Sequence, residues 1–350
     1  MSSPYSVGSM RYADSQYDSP CEVLHRASST NLQQWLTYFA AQQRLMMRGL
    51  ISELDIFQQE ILGGDHMHAI TCMTELLTEY RQSLPDTLWQ DDIVDQCREH
   101  PIFQLLQEDP YTSRAFEKPR GYPGDAVMLD YAYFQNPPPD SSAIGKLIFE
   151  VVTSSPNALS VRWRREHIAG LIERLASHRE TLSIMSVACG HCRELELLKP
   201  ETRQRIHRFV AFDNDLETLK LATLTWSEII KWQCNVKKLP ESDDYDGFDF
   251  IYSIGIYDYL NRAQAMALTA WLMGKLNPGG KLLIANFTPD NWGRGYMEAF
   301  MDWKLVLRTR EQMRAFIPAD SSPHSCLYFD PYRNVIYLLL TRSSPADQPG

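Results

Sequence analysis

The sequence predicts an α/β fold, a doubly wound sheet of largely parallel strands preceded by a helical region. Three observations predict it. After about Thr181, short apolar runs alternate with helical patterns, the rhythm of strands joined by crossover helices. Before that, from Asn31 to about Gln107, apolar residues fall mainly at three- and four-residue steps, the spacing of helices with one buried face. The first apolar run of the alternating half also ends in the small residues of "VACGHC", where such a sheet places its ligand-facing turn.

In the helical region, Leu32, Leu36, Phe39, Met46, Leu50, Leu54, Phe57 and Ile61 form one stripe, and Gly63-Gly64 ends it. "HAITCMTELLTEYRQSL" and "DDIVDQCREHPIFQLLQ" predict further helices on either side of a break at Pro85. The stripe is read as core packing, and no apolar stretch approaches the length that spans a bilayer. "EKPRGYPGDAVMLDYAYFQNPPP" comes next, with two Gly and two Pro crowded into a shaped loop, "PRGYPGD". "SAIGKLIFEVVTSSPNALSVRWRREHIAGLIERLASHR" predicts two helices broken near Pro156.

In the second half, "LSIMSVA", "RFVAFDND", "GFDFIYSIG", "KLLIANF", "SCLYF" and "NVIYLLLT" are the expected strands. "LETLKLATLTWSEIIKWQ" is expected to be helical throughout, with Asp215 as its N-cap. The predicted organisation is a flexible tail (1–30), a helical cap or substrate domain (31–139), connecting helices (140–180), the sheet domain (181–342) and a short tail (343–350). No internal repeat is apparent.

A net charge of −10 without any Lys/Arg run argues against nucleic-acid and anionic-membrane surfaces. Seven cysteines, an odd number, accompany a polar N-terminus without a signal-peptide core, so reduced thiols and a cytoplasmic location are expected. His66 and His68 have no Cys or His set at metal spacing, and no metal site is expected.

Cys189-Gly190-His191-Cys192 is also the dithiol sequence of disulfide isomerases, and a helix start after a strand would lower the first thiol's pKa. Here Ala188, not an aromatic residue, precedes Cys189, and a long α/β array comes after it. A cofactor turn is therefore the expected reading. The second strand then ends in an acid, Asp213, the place where a ribose is held in such folds.

Five segments in register, "SVACGHC", "AFDND", "QCNVKKLP", "FDFIYSIGIYDYL" and "LNPGGKLLIANF", resemble the class I S-adenosylmethionine-dependent methyltransferase superfamily over roughly Thr181 to Leu340. The resemblance implies a Rossmann-like sheet and S-adenosylmethionine as cofactor. Of the three glycines usual in the first motif only Gly190 remains, with the small residues Ala188 and Cys192 beside it. "RGYPGDAVMLDYAY", "CGHCRELE", "YSIGIYDYL" and "MEAFMDWKLVLRT" together resemble a bacterial branch associated with 3-hydroxypalmitic acid methyl ester biosynthesis and related to azetidine-2-carboxylate synthases.

On this resemblance, Ala188 and Gly190 lie under the methionine part of the cofactor, with the backbone of Ser253 and Gly255. Asp213, with Asn214 beside it, holds the ribose, and Asn235 and Val236 line the adenine. Tyr122 and Arg162 complete the expected cofactor contacts. Tyr257, Asp258 and Tyr259 are the expected catalytic residues, since aromatic faces attract a sulfonium and an amine or hydroxyl acceptor needs a base. Arg120, Asp125, Tyr296, Glu298 and Trp303 are expected to bind substrate. The implied activity is methyl transfer to a small molecule, with a carboxylate, fatty-acid-like or secondary-metabolite acceptor. The alternatives are cyclisation of S-adenosylmethionine itself, leaving methylthioadenosine, and cofactor binding without catalysis.

Overall fold

A computed structural model describes residues 49–226, 228–236, 245–318 and 325–343. The chain divides into two units, Met1–Ser52 and Glu53–Gly350. The 1–30 tail, residues 31–48 of the apolar stripe and nearly all of the C-terminal tail lie outside the described residues. In the first unit only 49–52 are described, and they are helical. The second unit carries the sheet and its covering helices.

The sheet is built on β1 (Leu182–Val187), whose six residues are all buried. Such a run suits a strand covered on both faces and paired in parallel on both edges. Ile184 stands beside Phe209 of β2 (Ile206–Asp213) and Phe250 of β4 (Phe248–Ser253). With β3 (Ile229–Gln233), β5 (Leu276–Phe287), β6 (Ser325–Phe329) and β7 (Val335–Thr341), the order is β3-β2-β1-β4-β5-β7-β6. Among the described strands only β7 runs against the direction of the rest, pairing Leu338 with Ile284 of β5 and Leu327 of β6. The strand order reverses between β1 and β4, so a crevice opens at their carboxyl ends.

"LETLKLATLTWSEIIKWQ" is not the single helix expected. The helix stops at Thr225, and Ile229–Gln233 forms β3, in register with Phe209–Asp213. The β-branched pair Ile229-Ile230 and Trp232 gain more against the exposed edge of β2 than in another helical turn.

The helical elements of this unit are α1 (helical residues 53–63), α2 (His66–Ser83), and Asp86–Leu88 running through a π-helical turn, Trp89–Val94, into Asp95–Glu99 (together α3). Next come α4 (Ile102–Leu106), α5 (Pro110–Glu117), α6 (Ala126–Phe134), α7 (Ala143–Thr153) and α8 (Pro156–Ser177). Starts are written in the sequence. Asp109 accepts from the N–H groups of Tyr111 and Thr112, and Ser155 caps α8 ahead of Pro156. Between strands lie α9 (Pro200–Arg205), α10 (Leu216–Thr225), α11 (Arg262–Gly274), α12 (Arg294–Phe300) and α13 (Arg310–Arg314). Asn261 and Gln264 form a capping box at α11. Among the described residues, no helix is long and apolar enough to cross a membrane.

One face of the sheet closes on Met185, Val210, Phe212, Ile251, Leu282, Ile284 and Leu338 against Leu268 and Leu272 of α11. At the carboxyl end of β5, α12 packs along α2, and its Glu298 ties the helices together. The Glu298 carboxylate accepts from Arg81 Nε (2.7 Å), Trp89 Nε1 (2.8 Å) and Arg294 Nε (2.8 Å).

Candidate cofactor cleft

A cleft of about 410 Å³ lies over the carboxyl ends of the parallel strands, within the usual size range of small-molecule sites. Its floor is the turn after β1. Ala188 (φ 54°), Gly190 (φ 56°) and Cys192 (φ 53°) alternate in the left-handed region, two of them carrying a side chain that disfavours it. Such residues cluster at functional sites. What holds them is backbone pairing: Cys189 N–H donates to Phe212 C=O (3.2 Å) and Cys192 N–H to Cys189 C=O (3.2 Å).

Asp213 ends β2 beside this turn and is buried. One carboxylate oxygen accepts from Gly190 N–H (3.2 Å) and the other from Asp215 N–H (3.0 Å). Burial raises its pKa, and the backbone donors pull the other way. Each oxygen keeps a lone pair, so a vicinal diol could donate to both. Asn214, Cys234, Asn235 and Val236 continue this wall, while Gly255, Ile256 and Tyr259 form the wall beyond β4.

The fourth side is the Gly/Pro loop and α6, through Arg120, Gly121, Tyr122, Gly124, Ala126 and Leu129. Arg120 Nη1 reaches Asp215 Oδ2 (2.5 Å) and Thr218 Oγ1 (2.5 Å), strapping the loop to the start of α10. Asp215 also accepts from Glu217 N–H, the expected N-cap. Burial, then Asp213 and Asp215, push the Tyr122 hydroxyl pKa up, so it stays a donor at neutral pH.

Ala188, Gly190, Asp213, Asn214, Asn235, Val236, Gly255, Tyr122, Arg120 and Tyr259 thus line one cleft. Others stand elsewhere. Arg162, expected at the cofactor, donates to Ala132 C=O and Thr153 C=O (2.7 Å each) and joins helices α6, α7 and α8. Ser253 is fully buried behind the cleft wall. Tyr257 is fully buried too, its hydroxyl paired with Thr269 Oγ1 of α11 (2.8 Å). Asp125, expected at the substrate, caps α6 through Met128 N–H and takes a two-pronged ion pair from Arg114 (2.9 and 2.6 Å). Glu298, also expected at the substrate, is the tie between helices and does not line the cleft.

Asp258, expected to be catalytic, is buried and does not line the cleft, and one oxygen accepts from Phe287 N–H (2.7 Å). Burial pushes its pKa up to about 6, with Phe287 N–H, Arg164 and Arg308 opposing. Tyr259 donates to Pro123 C=O (3.1 Å) and accepts from Trp303 Nε1 (2.7 Å). Gly124 (φ 71°) lies under the Trp303 ring, where an added Cβ would come within 2.4 Å of Cζ2. Tyr296 pairs with Thr112 Oγ1 (3.0 Å) and, with Trp303, lines a second cavity.

The two CGHC thiols are buried. Burial raises the Cys189 pKa well above its ordinary value. For Cys192 the bond to Cys189 pulls down, but burial, Glu194 and Asp213 outweigh it. Both stay protonated, the opposite of a reactive redox dithiol. Leu129, Gly121, Gly124, Ala126, Ile256 and Cys234 also line the cleft, and all are close neighbours of residues the motifs mark.

No family model and no curated protein matches the sequence. Among solved structures, a possible exported protein from Bordetella parapertussis shares the fold, with TM-score 0.56 and 19% identity over 79% of this chain and 96% of that one. An O-methyltransferase family protein from Burkholderia thailandensis aligns with TM-score 0.41 and 14% identity over 55% and 61% of the two chains. Magnesium protoporphyrin IX methyltransferase from Synechocystis PCC 6803, with bound SAH, aligns with TM-score 0.40 and 11% identity over 53% and 87%.

Proposed function

We propose that the protein is an S-adenosylmethionine-dependent methyltransferase acting on a small molecule. One observation carries the reading: the buried Asp213 carboxylate, bonded to Gly190 N–H at the carboxyl ends of β1 and β2, with acceptor capacity left on both oxygens. The donor set fits the nucleoside. Asp213 suits a ribose diol, Val236 and Asn235 an adenine, and the small turn Ala188–Gly190 lets backbone approach the amino-acid end. When bound, the cofactor supplies a methyl group activated by a sulfonium.

The chain's own residues align and shield. Tyr122 and Tyr259 bring aromatic faces into the cleft, where a sulfonium gains about 0.5–2 kcal/mol. The strapped loop keeps water out on one side. For a carboxylate acceptor no base is required. A hydroxyl or amine would need one, and Asp258, expected as that base, is buried outside the cleft lining and is not placed to reach an acceptor.

A second reading, cyclisation of S-adenosylmethionine itself, is favoured by the same two tyrosines and by the absence of any acid but Asp213 among the described residues lining the cleft. Incubation with S-adenosylmethionine alone, followed by mass spectrometry, separates the two. Methyl transfer predicts S-adenosylhomocysteine only when an acceptor extract is added. Methylthioadenosine formed without an acceptor would replace this reading with cyclisation, and failure to bind either nucleoside would end both.

A further inference from the structure

Backbone pairing holds Cys189 and Cys192 in the turn after β1, but the side chains of His191 and Arg193 are held from α6. One residue of that helix takes both. Asp130 accepts from Arg193 Nε (2.9 Å) on one carboxylate oxygen, and from Arg193 Nη2 (2.8 Å) and His191 Nδ1 (2.8 Å) on the other. Arg193 also lays its guanidinium over the Phe134 ring of α6, 5.3 Å from the centroid. The same helix lines the cleft through Ala126 and Leu129, and a Cβ added at Gly190 would stand 3.7 Å from that of Ala126. Wall and floor of the cleft meet here, and Asp130 joins them.

Three properties separate this clamp from a surface ion pair. The His191 side chain is 2% exposed, and its other ring nitrogen, Nε2, is buried with no hydrogen-bond partner among the described residues. Asp130 therefore sets the tautomer and orientation of the ring. Burial pushes the Asp130 pKa up, but the bonds from His191 and Arg193 outweigh it and hold the carboxyl below its usual range. It accepts as a carboxylate, the strong form of these bonds. The turn also needs holding, since Ala188 and Cys192 keep left-handed backbone that their side chains disfavour. Such residues persist only where their surroundings over-determine them.

We propose that Asp130 is a positioning residue of the cofactor site, which through His191 and Arg193 keeps the left-handed turn formed before the cofactor arrives. The proposal rests on the methyl-transfer reading for the identity of the ligand. Asp130 is not among the residues lining the cleft, so it acts through the turn and does not touch the ligand. A ligand that binds only the formed turn loses affinity in proportion to the fraction of chains in which the turn is formed. Loss of the clamp is thus read in cofactor affinity and in the protection of the turn, while the rest of the sheet stays as it was.

The test uses the full chain, with calorimetry for S-adenosylhomocysteine and amide hydrogen exchange for the turn. Asp130→Asn, which takes the charge out of these bonds, should weaken S-adenosylhomocysteine by about tenfold. In the ligand-free chain it should also speed exchange at the Cys189 and Cys192 amides several-fold and leave the β4 amides unchanged. Arg162→Gln cuts a different tie of the same helix, to α7 and α8, and should lower the melting temperature without either effect. His191→Leu should behave like Asp130→Asn, whereas His191→Asn, whose amide N–H can stand in for Nδ1–H, should recover most of the affinity. This pair carries the test if Asp130→Asn does not fold. The proposal is overturned by an Asp130→Asn affinity within about twofold of wild type, by unchanged exchange at the turn, by equal losses in Arg162→Gln, or by identical behaviour of the two His191 variants. If the wild-type chain does not bind S-adenosylhomocysteine, the methyl-transfer reading fails instead, and the exchange measurement still decides whether Asp130 holds the turn.

Discussion

Asp213 and Arg162 show what a single residue discloses in sequence. Asp213 stands at a fixed place, the last residue of an apolar run, and the topology of a doubly wound sheet then determines what it faces. Arg162 stands in mid-helix, and its partners, Ala132 and Thr153, come from other helices. No local pattern encodes that pairing, and the same holds for Asp125 with Arg114 and Tyr257 with Thr269. Strand-end residues of the site are therefore legible, while helix residues whose role depends on a distant partner are not. The prediction at this scale concerns Asp213→Ala. Calorimetry should show S-adenosylhomocysteine binding weakened by about 1–3 kcal/mol, the cost of removing a buried acceptor, and an unchanged affinity would mean that Asp213 does not hold the ribose.

Among the elements, β3 is hidden because it comes after α10 with barely a break, and its five residues cannot establish a period of two. The other strands are longer, or bounded by Gly, Pro or Asp, and are legible directly. Helix α8 docks on the antiparallel pair through His167, which stacks on Trp163 (4.4 Å between centroids) and meets Tyr328 Oη at 2.8 Å. Burial, then Arg174, push the His167 pKa down to about 4. The folded state therefore holds this ring neutral, while an unfolded histidine gains a proton below about 6.5. Its contribution is whole above that value and is lost as pH falls from about 6.5 to 4. Denaturant titrations across that window should show a shallower pH slope for His167→Phe than for wild type, and an identical slope would show that His167 is not the group responsible.

At the scale of the whole unit, the helical region and the sheet are expected to unfold together. The tie is Glu298, on the helix that comes after β5, with side-chain exposure of 6% against 11% for Arg81. Removing one partner of a buried pair leaves the other uncompensated, at about 3–5 kcal/mol. Glu298→Ala should lower the melting temperature in calorimetry while S-adenosylhomocysteine still binds at low temperature. A melting temperature equal to wild type would show that the helices are held elsewhere. The sequence announces both layers by their different periods but not this tie, because Arg81, Trp89 and Arg294 converge on Glu298 only after folding.

The pair Cys189 and Cys192 has a consequence outside binding and catalysis. Both thiols are buried and protonated, whereas Cys326 is exposed on β6. Alkylating reagents attack thiolates at accessible sulfur, so Cys326 is labelled while the turn under the cleft stays silent. Should the turn after β1 open, Cys189 and Cys192 become reactive in turn. The motif is thus a built-in clock for local opening, recording as adduct mass how often the floor of the cleft comes apart.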